Sequence, residues 1–171
     1  MLPVLEQSER ILIRQTRQED LDFVTAAEID PENSLYVGQW TLDQHQNSLC
    51  NADIFHIFVE SKVSQKPVGY AIMAGVTNPN RNLELKRIVI TDKGKGFGKE
   101  TLRLIKRYSF AQLNVHRLWL DVRNNNPRAY SVYKSEGFVE EGILRECIYL
   151  NDGFISLSVM SILENEYRAG K

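Results

Sequence analysis

The chain has 171 residues, 43% of them apolar and 25% charged, the balance of a soluble globular domain rather than a disordered segment. Its 21 Lys and Arg nearly cancel 22 Asp and Glu to a net charge of −1, which speaks against wholesale binding to nucleic acid or to an anionic membrane surface. Length and the absence of repeats or long linkers predict one domain over residues 1–171, with a core at about 9–163.

From the N-terminus, residues 1–6 carry no basic run and no long apolar stretch, so no leader is expected and a cytoplasmic setting is. Residues 10–14 (RILIR) read as a strand, and 17–28 as a helix through Leu21, Val24, Ala27 and Glu28. Asp30-Pro31-Glu32-Asn33-Ser34 breaks that pattern, and residues 41–49 form a second short helix with Thr41 as its N-cap. Strands follow at 54–60, 67–76 and 83–90, separated by polar turns. The apolar stretch 68–76 has about half the length of a membrane span, so no membrane segment is expected. Glycines at 94–98 then lead into a helix to about residue 113, with Phe97, Leu104, Ile105, Tyr108 and Ala111 on one face and Lys99, Arg103 and Lys106 on the other. A strand at 117–122 precedes a helix at 127–136, opened by Asn126 and Pro127 and closed by Gly137. Two last strands fall around 138–150 and 155–163. The order β-α-α-β-β-β-α-β-α-β-β predicts a mixed α/β fold, mostly antiparallel, with helices on the sheet faces.

The glycine stretch Lys93-Gly94-Lys95-Gly96-Phe97-Gly98-Lys99 lies between a strand and a helix. There unpaired backbone N–H groups converge with the helix dipole behind them, an arrangement that favours phosphate. Residues 86–107 hold eight basic and two acidic residues, leaving −7 for the rest of the chain. A P-loop needs four residues between its first glycine and Gly-Lys, whereas three separate Gly94 from Gly98; a dinucleotide fingerprint needs glycine where Lys99 stands. A diphosphate site of another kind remains, against the competing reading of a surface turn and a solvated basic helix. Arg103 and Lys106 read as the solvated face, and the loop lysines as the better phosphate partners.

Two stretches together carry a resemblance. Leu85-Lys86-Arg87-Ile88-Val89-Ile90 with Lys93-Gly94-Lys95-Gly96-Phe97-Gly98 resembles the acetyl-CoA motif of the GNAT superfamily of N-acetyltransferases. Residues 126–138 (NPRAYSVYKSEGF) resemble its second signature, an Asn, a helical Tyr and a closing Gly-Phe. Lys93 stands where the family prefers Arg or Gln, and the loop from Ile90 to Gly94 is short. Within the superfamily the pattern is similar to the branch of ribosomal-protein N-terminal and small-amine acetyltransferases. The resemblance implies a GNAT-like fold whose central strands splay, with acetyl-CoA as co-substrate. Its pantetheine would pair with the backbone of Ile88 and Ile90, with Val89 between them, and its diphosphate would sit on the amides from Gly94 to Lys99. Asn126 and Ala129 would touch the CoA arm, and the thioester would lie near Glu84 and Tyr133.

Acetyl transfer needs a neutral amine, a donor for the tetrahedral oxyanion and a proton for the departing thiolate. A backbone N–H near Ile88 suits the oxyanion, and Tyr133, a phenol of ordinary pKa ~10, suits the thiolate. Glu84 matches by position the strand carboxylate that several family members use as a base, so Glu84→Gln is expected to slow the reaction mainly at low pH. Tyr36 and Trp40 are candidates for the acceptor pocket, with Trp40 equally readable as a loop anchor. Cys50 and Cys147 lack a nucleophile signature with His45 or His56, and no cysteine–histidine spacing suits a metal, so direct transfer without metal is expected. The acceptor class is a primary amine: a protein N-terminus, a polyamine or another small amine. Two alternatives stand beside this, a longer acyl-CoA donor and a non-catalytic acyl-CoA sensor on the same fold. A homodimer is open to it.

Overall fold

The computed structural model describes residues 3–170; Met1 and Leu2, part of the chain start considered above, and Lys171 lie outside the described residues. Strands β1 (Val4–Gln7), β2 (Ile11–Gln15), β3 (Ile54–Ser61), β4 (Pro67–Ala74), β5 (Asn82–Ile90), β6 (Arg117–Arg123), β7 (Val139–Leu150) and β8 (Gly153–Leu163) form one sheet. Their spatial order is β1-β2-β3-β4-β5-β6-β8-β7. Every neighbouring pair is antiparallel except β5 and β6. The helices are α1 (Leu21–Ile29), α2 (Pro31–Ser34), α3 (Leu42–Leu49), α4 (Phe97–Ala111), α5 (Pro127–Ser135) and α6 (Glu164–Ala169). The architecture is the mixed, mostly antiparallel α/β sheet that the sequence pattern predicts.

Alternation along the strands divides the core in two. Leu83 and Leu85 of β5, with Leu118, Leu120 and Val122 of β6, face α4 through Leu102, Leu104 and Ile105. On the opposite face Tyr70 and Ile72 of β4 and Val89 of β5 pack against Leu21, Val24 and Ala27 of α1. The central strands β4 and β5 are therefore covered on both sides, and a gap beside them would connect the two faces.

Several local expectations hold and others change. Thr41 caps α3, accepting from the Gln44 backbone N–H, while the Gln44 side chain caps back. The stretch 30–34 does end α1, but Asp30 caps a new short helix by accepting from Glu32 N at 2.9 Å, with Pro31 in its first turn. The short elements β1 and α6 carried no clear sequence pattern. Ala111, expected on the buried stripe of α4, is exposed at its end. The solvated reading holds for Arg103, whose side chain is exposed although it is ion-paired, and fails for Lys106. Lys106 is buried, its Nζ 2.6 Å from the Glu136 carbonyl oxygen and 3.2 Å from its carboxylate, and Arg103 Nη2 donates to the same carboxylate at 2.7 Å. Burial would raise the Glu136 carboxyl, but these two cations hold it below its ordinary value. Two of the eight basic residues of the apparent patch thus form a clamp between α4 and the end of α5.

Candidate active site

Strands β5 and β6 pair only at Asn82–Arg117, Leu83–Leu118 and Glu84–Trp119. Beyond Glu84 they part. Against β4, Ile72 faces Arg87 and Met73 faces Leu85, so Lys86 is the extra residue of a β-bulge. The bulge inverts the alternation: Leu83 and Leu85 face α4, whereas after it Ile88 and Ile90 turn to that side and Val89 to the other. A bulge increases local twist, which carries β5 away from its parallel neighbour.

The fork opens into a cavity of about 600 Å³ that reaches both faces of the sheet. On the α4 side it is lined by Ile88, Ile90, the glycine loop, Asn126, Ala129, Val132 and Tyr133; on the α1 side by Tyr36, Gly38, Glu84, Lys86, Arg87 and Asp121. Gly96 caps α4 with φ +81° and Gly94 has φ +80°, left-handed conformations that suit glycine. With no side-chain cap at Gly96, the first backbone N–H groups of α4 face the cavity. Arg10 fixes the loop from behind: Nη1 donates to the Lys95 carbonyl at 3.0 Å, its guanidinium lies 5.1 Å from the Phe97 ring centroid, and it pairs with Glu100.

Tyr133 stands half-buried on the wall of α5. Its ring lies 6.0 Å from that of Phe138, and its hydroxyl takes no hydrogen-bond partner among the described residues. Asn126 Oδ1 accepts from Ala129 N at 3.1 Å and orients the helix. Burial, with the charge of Asp121, pushes the Tyr133 phenol up to about 12. That corrects the expectation of an unperturbed acidity. Across the fork the Glu84 carboxyl is raised by burial, with Lys86 opposing and Asp121 adding to the rise. Asp121 is raised for the same first reason, and Lys86 and Arg123 oppose it.

Beneath the α1 side lies a buried polar hub. Glu28, 1% exposed, accepts from the Tyr70 hydroxyl at 2.6 Å and from the Trp40 backbone N–H at 2.8 Å, and pairs with Arg87. His45 Nε2 lies 3.3 Å from the same carboxylate. His45 Nδ1 meets His56 Nε2 at 3.2 Å, and His56 Nδ1 meets the Thr16 hydroxyl at 2.8 Å. Burial would raise Glu28, yet these donors hold it down to about 2. Burial, reinforced by His45, lowers His56 to about 3 and keeps it neutral.

Residues 10–139 match the family model described as an acetyltransferase (GNAT) domain, over three-quarters of the chain. The chain is a member of the GNAT acetyltransferase family. It is 32% identical to the spermidine N(1)-acetyltransferase of Vibrio cholerae over 111 residues, a stretch that spans 64% of each protein. To the spermidine N(1)-acetyltransferase of Escherichia coli it is 22% identical over 174 residues, covering 96% of this chain and 92% of that one. The solved structure of the Vibrio cholerae enzyme in complex with CoA and spermine superimposes with a TM-score of 0.85 at 25% identity, covering 94% of this chain and 99% of the other.

In this GNAT acetyltransferase the cavity gathers Glu84, Ile88, Val89, Ile90, Lys93, Gly94, Gly96, Phe97, Gly98, Lys99, Asn126, Ala129, Tyr133 and Tyr36. Two expected residues stand apart. Lys95 Nζ turns to Asp92 at 2.9 Å, so only its backbone serves the loop. Trp40 is the anchor: its backbone reaches Glu28, and the Arg87 guanidinium lies 5.0 Å from its ring centroid. The Phe97 side chain is buried, which leaves its N–H as the group on offer. Cys50 and Cys147 are free and exposed, while His45 and His56 are committed to the hub. The sequence reading missed Asp121, Arg87, Arg128 and Arg10. Asp121 alone had a visible signal, an acidic residue within the otherwise apolar run at residues 118–122.

Proposed function

We propose that this protein transfers acetyl from acetyl-CoA to a primary amine of a polyamine, by direct attack within a ternary complex. The observation that carries this reading is the cavity through the fork, which joins the amides of the glycine loop to Tyr133, Glu84 and Asp121. The spermidine acetyltransferases among its relatives support the choice of acceptor, and the near-neutral chain supports a small acceptor over nucleic acid. No helix among the described residues is long and apolar enough to cross a membrane. The cytoplasm belongs to the same reading.

In this mechanism the loop amides hold the diphosphate, and the edge of β5 that β6 leaves open beyond Glu84 pairs with the pantetheine. The acceptor ammonium loses one proton to Glu84, directly or through water. Its nitrogen then attacks the thioester carbon, and a β5 amide near Ile88 holds the oxyanion. The C–S bond breaks, Tyr133 donates its proton to the sulfur, and the second N–H proton of the adduct restores the phenol. The products are an acetamide, CoA thiol and one proton released to solvent.

Thiol release across an amine panel, with product masses, tests the reading. Acetylated spermidine supports it. Binding of CoA without turnover on any amine overturns it in favour of a sensor, and transfer only from longer acyl-CoAs overturns the choice of donor.

A further inference from the structure

The acceptor wall of the cavity presents a problem in charge. A polyamine arrives as a polycation, yet the carboxylates on this wall are already attended by cations of the chain itself. Glu32 of α2 is paired with Lys93 at 3.0 Å. Arg87 is committed to Glu28 and points its other face at Trp40. Arg123 donates to the Leu35 carbonyl at 2.9 Å.

What remains is a group of three. Glu84 ends the paired part of β5, and Asp121 lies two residues past its partner Trp119 on β6. Both carboxylates project from the same face of the parting strands and line the cavity. Lys86, the extra residue of the bulge, is exposed and places Nζ 3.8 Å from Glu84 Oε1. At that distance the pair is loose and open to solvent, which makes it easily exchanged. Tyr36 is the other titratable neighbour from the α1 side, and Tyr133 faces the group from α5.

We propose that Glu84 and Asp121 form a two-carboxylate seat for the acceptor ammonium, and that Lys86 is a resident counter-ion which the arriving ammonium displaces. This rests on the polyamine reading above. It assigns Asp121 to substrate binding and makes Lys86 a specificity-determining residue. An empty seat sets one lysine against two carboxylates; an occupied one exchanges one ammonium for another, so a neutral or anionic small molecule gains nothing by entering.

The two substitutions Lys86→Met and Asp121→Asn act in opposite senses, which separates the seat from a merely structural role. Lys86→Met leaves Glu84 without its cation and Asp121 with Arg123 alone: KM for spermidine falls about three- to tenfold, and the acid limb of kcat/KM moves to higher pH because both carboxyls lose the Lys86 charge. Asp121→Asn removes half the seat: KM for spermidine rises about tenfold, and the acid limb moves to lower pH because Glu84 loses a like charge. KM for acetyl-CoA stays within about twofold in both, and thermal unfolding checks that both variants fold. Shifts in the same direction, or an unmoved KM and acid limb in either variant, overturn the seat. If the wild-type protein acetylates spermidine while the variants behave like it, the seat alone fails. If the wild type moves no acetyl to spermidine, the polyamine reading fails first.

Discussion

At the scale of single residues, Tyr133 and Glu28 show how surroundings assign opposite duties to ordinary groups. The Tyr133 phenol, held up to about 12, stays protonated across the neutral range and is never lost as a donor. Tyr133→Phe is expected to lower kcat by about a hundredfold or more, with KM for acetyl-CoA changed little, in steady-state thiol-release assays. Glu28 is a structural anion. Its folded value of about 2 lies below the ordinary ~4.3 of a free glutamate, so its stabilisation is complete above the latter and fades as pH falls toward the former. Glu28→Gln leaves Arg87 without its counter-charge and is expected to cost about 3–5 kcal/mol at neutral pH. Denaturant titrations should show the wild-type advantage shrinking between pH ~4.3 and ~2.

At the scale of elements, the strand-to-helix turn after β5 works by backbone geometry. Gly96 holds φ +81°, a conformation that a Cβ penalises by about 1–2 kcal/mol. Gly98 has no such φ, and an added Cβ would meet only Ile90 Cγ1 at an ordinary 3.8 Å. Gly96→Ala is therefore expected to lower stability and raise KM for acetyl-CoA severalfold, whereas Gly98→Ala leaves stability unchanged. Thermal unfolding with acetyl-CoA titration distinguishes them. The bulge at Lys86 is the corresponding device in β5, since one extra residue both parts the strands and turns Ile88 and Ile90 toward the cofactor side.

At the scale of the whole molecule, the cavity connects the two halves of the sheet, β1–β5 and β6–β8, which are hydrogen-bonded to each other through only three β5–β6 residue pairs. A ligand lying in the fork touches both halves and should stabilise the fold as a unit. Saturation with CoA at a hundredfold over Kd is worth about 2.7 kcal/mol, or roughly 5–10 °C in the unfolding midpoint of a domain this size. Scanning calorimetry with and without CoA measures it, and an unchanged midpoint would remove CoA from the cavity.

Local pattern was enough to determine much of this protein. The paired motifs at Gly94–Gly98 and Asn126–Phe138, the caps at Thr41 and Asn126 and the run of strands all rest on residues near one another in the chain, where dihedral preference and periodicity act. Other features needed the third dimension. Asp121 and Glu84 are 37 residues apart in sequence and meet only because the fork brings β5 and β6 together. Lys106 looked solvated because helical periodicity places it opposite the apolar stripe, and it is buried because α5 ends there with Glu136. Trp40 could be pocket or anchor on sequence alone, and the buried charge of Glu28 settled it as the anchor. Charges are decided by neighbours in space, since a buried ion must find its partner wherever the fold supplies one.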